Sequence, residues 1–203
     1  MQTLGLSQES RRSDGRLKSI FWPTVENAWD VDALGRQGFW LCVILAGFQL
    51  ALAVASRNPF MIVSGAAVSL VFLIGAMGVR EKNWPAAALL FSLFSINILY
   101  SVASFQFPGF LTIVADCMLL SNLRAAFLAS EWRPAAEDED KPMRFNDTIG
   151  DKLSDRMPAR AWPVLRIPFF SLASLLLLLS IAGLGFLLLQ SFGLVPHASA
   201  LQP

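Results

Sequence analysis

Hydrophobic residues occur along the chain in five long blocks that polar segments separate. Each block has about 19 residues or more, which is enough for a helix to cross a hydrocarbon core of about 30 Å. The blocks are apolar on all faces rather than along one stripe, which is typical of helices that lipid surrounds. They are Gly38–Ser56, Pro59–Val79, Trp84–Phe105, Phe107–Ala129 and Ile167–Phe192. The pattern predicts an all-α fold: a polytopic α-helical integral membrane protein with five transmembrane helices.

The fourth block differs from the others because it carries two charged side chains, Asp116 near its middle and Arg124 toward its end. A carboxylate at the centre of a span costs about 2.5–3.5 kcal/mol, which the surrounding apolar residues can offset. We expect this block to cross the membrane fully, with a re-entrant or interfacial helix as the alternative.

Basic residues predict the orientation of the chain. Of its 16 Lys and Arg residues, fourteen lie in the N-terminal arm, between the second and third blocks, or before the fifth block. Five spans place these segments on one side, and the opposite side holds Arg57. Because basic residues concentrate in cytoplasmic loops, we expect a cytoplasmic N-terminus and an external C-terminus. The expected location is a plasma membrane, with the bacterial inner membrane as the preferred case.

The segments between the blocks complete the predicted organisation. We expect a cytoplasmic arm over 1–37, a four-helix bundle over 38–129, and a cytoplasmic loop over 130–166. Within the arm, residues 17–35 are expected to form an interfacial amphipathic helix that Pro23 can open, with an ordered loop packed against the bundle as the alternative. The cytoplasmic loop carries Phe145, Ile149 and Leu153 at helical spacing, which predicts a second amphipathic surface helix that Pro158 ends. The fifth helix over 167–192 and an external tail over 193–203 follow.

Three polar side chains fall at nearly one depth in the predicted membrane: Gln49, Asn97 and Asp116. Counted from the external turns, their levels differ by about 1.5 Å. One hypothesis is a polar site in which Asp116 accepts a proton or cation and the two amides orient it. The alternative, which we favour on the sequence, is interhelical hydrogen bonding that fixes the helix register.

Further residues carry weaker signals. Asn122 and Arg124 are polar positions near the cytoplasmic end, and Arg124 is expected to reach lipid phosphate or a helix C-terminus. Trp162 and the other tryptophans are expected at the same cytoplasmic boundary. The acidic side chains Asp147, Asp151 and Asp155 fit a solvated helix face. Small residues predict close helix packing at Gly65, Ser69, Gly75, Gly183 and Gly185.

Composition narrows the candidate functions. The chain of 203 residues is 55% hydrophobic and 15% charged, with a net charge of +1, so a basic nucleic-acid binder is not expected. One histidine, two cysteines and a single acid inside the blocks offer no recognisable catalytic or metal-binding set. We expect no enzyme activity, no metal and no cofactor.

The sequence thus favours a non-enzymatic membrane protein that acts as a structural or accessory subunit through helix–helix contacts. The alternative is a small ion- or proton-coupled transporter that uses Asp116. An enzyme acting on lipid headgroups is a third class. The expected partners are a bilayer with anionic lipid at the cytoplasmic face and, beyond it, a second copy or a membrane complex.

Overall fold

The computed structural model describes residues 18, 22–25, 28–131, 149–192 and 194, and within these ranges the chain contains helices and no strand. The helices are α1 (Ala28–Ala55), α2 (Pro59–Arg80), α3 (Trp84–Ala103), α4 (Phe110–Glu131), α5 (Ile149–Asp151) and α6 (Met157–Ser191). One π-helical turn, Lys152–Arg156, joins α5 to α6. Five helices are long and apolar enough to span a membrane.

Asparagine side chains begin two of these helices. Asn58 accepts a hydrogen bond from the Phe60 amide at 2.9 Å, and Asn83 accepts one from the Ala86 amide at 3.0 Å. Each is followed by proline within the first helical turn, where the missing N–H costs nothing. Local sequence therefore fixes where α2 and α3 start, in agreement with the predicted blocks.

The long helices form a closed ring in the order α1, α2, α6, α3, α4 and back to α1, with α2 also touching α3 across the centre. The core that they enclose includes Cys42, Val71, Leu90, Phe169 and Ala173. We call the end of the bundle where α1, α3 and α6 begin the charged end, and the opposite end the apolar end.

Packing is tightest at the charged end. In α2 every residue from Gly75 to Arg80 is buried, whereas Phe60, Met61 and Val63 at the other end of the same helix are exposed. Phe105 and Phe110 at the apolar end are exposed as well. The described helices therefore pack closely at one end and present large apolar side chains outward at the other.

Two predicted helix boundaries are wrong. Helix α1 begins at Ala28, ten residues before the predicted span, and it buries Val31 and Leu34 in the bundle instead of lying as a separate surface helix. The Trp22–Val25 segment is not helical, so Pro23 does not open a helix there. Val31 and Leu34 thus cover neighbouring helices rather than a membrane surface, which agrees with the alternative that this part of the arm packs against the bundle.

The predicted end of a surface helix at Pro158 is also wrong. Pro158 lies in the first turn of α6, which continues without a break through Pro163 and Pro168 to Ser191. Pro158 comes directly after the π turn, and local π adjustments are one way in which helices accommodate proline. The predicted helix around Ile149 and Leu153 and the fifth span are thus parts of one helical rod, while Phe145 lies outside the described residues.

Candidate functional site

The guanidinium of Arg80 lies at the charged end in contact with two aspartates. Its Nη1 and Nη2 atoms donate to the two carboxylate oxygens of Asp32 at 2.8 and 3.1 Å. Its Nε donates to Asp155 Oδ1 at 2.9 Å, and Nη2 donates to the same oxygen. Arg80 is 1% exposed and Asp155 is 4% exposed, so this is a buried ionic group. We call Asp32, Arg80, Ser154 and Asp155 the ionic cluster.

Backbone carbonyls complete the coordination of Arg80. Nη1 also donates to the Asp32 carbonyl at 3.0 Å, and Nε donates to the Ser154 carbonyl at 3.1 Å. A guanidinium carries five N–H groups in a planar fork, and every nitrogen of this fork has an acceptor. Such saturation is what allows a charge to stay buried.

Helix geometry brings the members of the ionic cluster together. Arg80 is the last residue of α2, Asp32 lies near the start of α1, and Asp155 lies in the π turn. The wider π turn buries Ser154 and Asp155 and leaves Lys152, Leu153 and Arg156 exposed. The cluster therefore ties three chain segments that are far apart in sequence.

Sequence reasoning missed this cluster. Asp155 was placed on a solvated helix face, and that prediction is wrong because the carboxylate is buried against Arg80. Arg80 contributed to the sequence-based prediction only as one of the fourteen basic residues that indicate the orientation of the chain. The signal in the sequence that could have pointed to a buried role was the position of Arg80, directly after the last residue of the apolar block Pro59–Val79.

The predicted polar set of Gln49, Asn97 and Asp116 is not joined in the structure. Asp116 is half-buried and accepts a hydrogen bond from Ser95 Oγ at 2.7 Å, across the α3–α4 contact. Asn97 is exposed, and its amide donates to the Leu93 carbonyl of its own helix at 2.9 Å. Gln49 is exposed on α1. Ser95, two residues before Asn97 and not among the predicted polar residues, is the residue of α3 that pairs with Asp116 in place of Asn97.

Asn122 and Arg124, the two polar residues of α4 near the charged end, form hydrogen bonds with segments that precede the predicted membrane-spanning part of α1. Asn122 is buried and donates through Nδ2 to the Leu34 carbonyl of α1. Arg124 Nη1 donates to the Pro23 carbonyl at 3.0 Å, and its guanidinium lies 4.7 Å from the centre of the Trp22 ring. The contacts of Arg124 with described residues are thus a cation–π contact and a backbone hydrogen bond, and its expected contact with lipid phosphate stays a prediction.

Small residues lie where helices approach closely. A Cβ on Gly65 would meet Ala53 of α1, and Ser69 Oγ donates to the Ala46 carbonyl at 2.9 Å. Gly75 faces Leu90 and Phe169, and Gly183 faces the Tyr100 hydroxyl, which donates to the Ser180 carbonyl at 3.0 Å. Gly185, by contrast, has open space around it.

Trp162 is buried between helices near the charged end of the bundle. It is 7% exposed and packs on Gly78 of α2, with the rings of Phe169 and Phe170 at 5.5 and 6.0 Å. The glycine is what admits the indole, since a Cβ there would lie 2.5 Å from it.

Acids, cysteines and histidine do not assemble into a metal site within the described ranges. Cys42 is a buried free thiol in the core, and Cys117 is a half-buried free thiol. The chemistry that the described residues offer is therefore ionic and hydrogen-bonding.

Comparison of the chain with protein-family models, with curated proteins and with solved structures finds no match.

Proposed function

We propose that this chain is a multi-pass membrane protein that acts as a structural or accessory subunit through helix–helix contacts, without catalytic chemistry of its own. Its five apolar helices support insertion, and the distribution of basic residues supports a cytoplasmic charged end. The proposed setting is a plasma membrane of the bacterial inner-membrane kind.

The observation that carries the proposal is the outward position of two side-chain amides. Gln49 on α1 and Asn97 on α3 are exposed in the middle of apolar helices. The Asn97 amide nitrogen donates to the Leu93 carbonyl of its own helix, which leaves the side-chain oxygen facing outward. A polar atom that faces hydrocarbon unpaired is unfavourable, and amide hydrogen bonds between helices in membranes contribute about 0.6 kcal/mol each on average. A partner helix, from a second copy or another subunit, would satisfy these groups.

The test is association of the purified protein in mild detergent, measured by native mass spectrometry with wild type, Gln49→Leu and Asn97→Leu. Both variants should shift the population toward the monomer, or release a copurifying subunit. Gln190→Leu is the matched control, because this amide lies near the end of α6 where water can reach it. A wild-type protein that is strictly monomeric and free of partners contradicts the proposal.

A second candidate function is ion- or proton-coupled transport through Asp116. The favouring observation is that this half-buried carboxylate, in the interior of an apolar helix, receives one hydrogen bond, from Ser95, among the described residues. In reconstituted vesicles, Asp116→Asn should abolish ion flux while the thermal midpoint stays near that of wild type. Ser95→Ala should alter the flux without abolishing it. Unchanged flux in Asp116→Asn contradicts this candidate.

A further inference from the structure

A basic groove lies on the outer surface of the rod that the π turn and α6 form. It is a shallow, widely open depression with a volume of about 560 Å³. Its lining consists of Lys152, Arg156, Met157, Arg160 and Ala161. We call Lys152, Arg156 and Arg160 the groove cations. All three are exposed, and none forms an ion pair or hydrogen bond with another residue that the structure describes.

The π turn separates the groove from the ionic cluster. Asp155 faces inward to Arg80 and is buried, whereas its neighbour Arg156 faces outward. Asp155, the acidic residue closest in sequence to Arg156, therefore pairs with Arg80 and not with Arg156. The groove cations recur every four residues and line the same groove, so they lie on one side of the rod.

An exposed apolar strip continues from the groove toward the middle of the bundle. Val164 follows Arg160 after one further helical turn and is 74% exposed, and Ile167 is 69% exposed. One face of the rod thus passes from cations to apolar side chains in the direction that leads into the apolar part of the bundle. This face is complementary to an amphipathic ligand that has an anionic head and a hydrocarbon tail.

We infer that the groove binds the phosphate of an anionic phospholipid, with the groove cations contacting the headgroup and an acyl chain lying along Val164 and Ile167. This inference depends on the membrane insertion under the proposed function. The apolar strip selects lipid over free phosphate, since an inorganic ion gains nothing from Val164 or Ile167. Basic clusters beside a membrane helix attract anionic lipid through the same charges.

The test is native mass spectrometry of the detergent-solubilised protein titrated with phosphatidylglycerol, with phosphatidylcholine as the neutral lipid. Wild type should bind phosphatidylglycerol at least about tenfold more tightly than phosphatidylcholine. The triple variant Lys152→Gln/Arg156→Gln/Arg160→Gln should lose this preference. Arg166→Gln is the matched control: it removes an exposed cation of the same helix that does not line the groove, and it should keep the preference.

Three results would overturn the inference. The first is that the triple variant still binds phosphatidylglycerol more tightly than phosphatidylcholine. The second is that Arg166→Gln loses this preference to the same extent as the triple variant. The third is that wild type binds inorganic phosphate as tightly as it binds phosphatidylglycerol. The thermal midpoint of the triple variant checks its fold, which should persist because the groove cations make no contact with Arg80.

A separate measurement distinguishes this failure from failure of the proposed function. Wild type is reconstituted into phosphatidylcholine vesicles and extracted with alkaline carbonate. Protein that is released contradicts membrane insertion itself, whereas protein that is retained but shows no preference for phosphatidylglycerol contradicts the groove assignment alone.

Discussion

At the scale of single residues, Arg80 imposes the strongest constraint on the bundle. Its buried guanidinium contacts two aspartates and two backbone carbonyls that come from α1 and the π turn. Removing one partner of a buried ionic group leaves the other charges without compensation, which costs far more than an exposed ion pair contributes. We therefore expect α1, α2 and the π turn to pack together at the charged end only when the ionic cluster is intact.

Arg80→Gln should lower the free energy of unfolding by about 3 kcal/mol or more, because two anions, the buried Asp155 and the half-buried Asp32, then lose the cation that both contact. Thermal unfolding in detergent measures the effect. Adding Asp155→Asn to Arg80→Gln should recover part of the loss, since it removes one of those anions. Arg57→Gln, at an exposed cation between α1 and α2, should change stability by less than about 0.5 kcal/mol. Equal effects at positions 57 and 80 would contradict the buried cluster.

Glycine positions give a second prediction at this scale. A methyl group on Gly78 would lie 2.5 Å from Trp162 and 2.8 Å from Ala86, so Gly78→Ala should destabilise the protein by about 1–3 kcal/mol. Gly47 has no neighbour within 4 Å, so Gly47→Ala should be neutral or raise stability by up to about 1 kcal/mol through better helix propensity. Thermal midpoints of the two variants compare them directly. A destabilised Gly47→Ala beside an unaffected Gly78→Ala would reverse the expected order.

Sequence alone could identify which side chains are polar at membrane depth but not which would meet. The depth argument placed Asp116, Asn97 and Gln49 at one level, yet depth says nothing about where on the helix circumference a residue lies. Ser95 rather than Asn97 faces Asp116, and the two amides face outward. Pairing across helices depends on rotation about each helix axis, which packing determines.

At the scale of helices, boundaries follow local chemistry where caps and prolines are present. The predicted starts at Pro59 and Trp84 are the observed ones, because Asn58 and Asn83 cap them. The predicted starts of the first and fifth spans, at Gly38 and Ile167, are too late, since α1 begins at Ala28 and α6 at Met157. Polar residues such as Asp32 and Asp155 interrupt the apolar pattern there, and in the structure both pair with Arg80, Asp155 fully buried and Asp32 half-buried. A pattern of hydropathy cannot anticipate a charge that a distant residue neutralises.

The cap of α3 can be tested separately. Asn83→Ala removes the acceptor for the Ala86 amide and should lower the free energy of unfolding by about 1 kcal/mol. Asn83→Ser should restore most of it, because a serine hydroxyl can accept the same hydrogen bond. Thermal unfolding of the three proteins in one detergent is the measurement. A serine variant no better than alanine would show that the side chain of Asn83 stabilises the protein in some other way.

At the scale of the whole molecule, the described helices combine a closely packed charged end with an apolar end that presents large side chains outward. Among the basic residues that the structure describes, Arg80, Lys82, Lys152 and Arg156 lie at the charged end and Arg57 lies at the apolar end. This asymmetry agrees with a protein whose polar interactions occur at one membrane face. The proposed lipid groove and the ionic cluster both belong to that face, whereas the outward amides would engage a partner within the membrane.

The central claim is that five helices cross a membrane with the charged end in the cytoplasm. The most direct test is labelling of single cysteines, Arg57→Cys and Gly150→Cys, in a Cys42→Ala/Cys117→Ala background. An impermeant maleimide is applied to intact cells and then to permeabilised cells. Three crossings separate the two positions, so position 57 should react in intact cells and position 150 only after permeabilisation. Reaction of both positions in intact cells, or position 150 alone, would contradict the account.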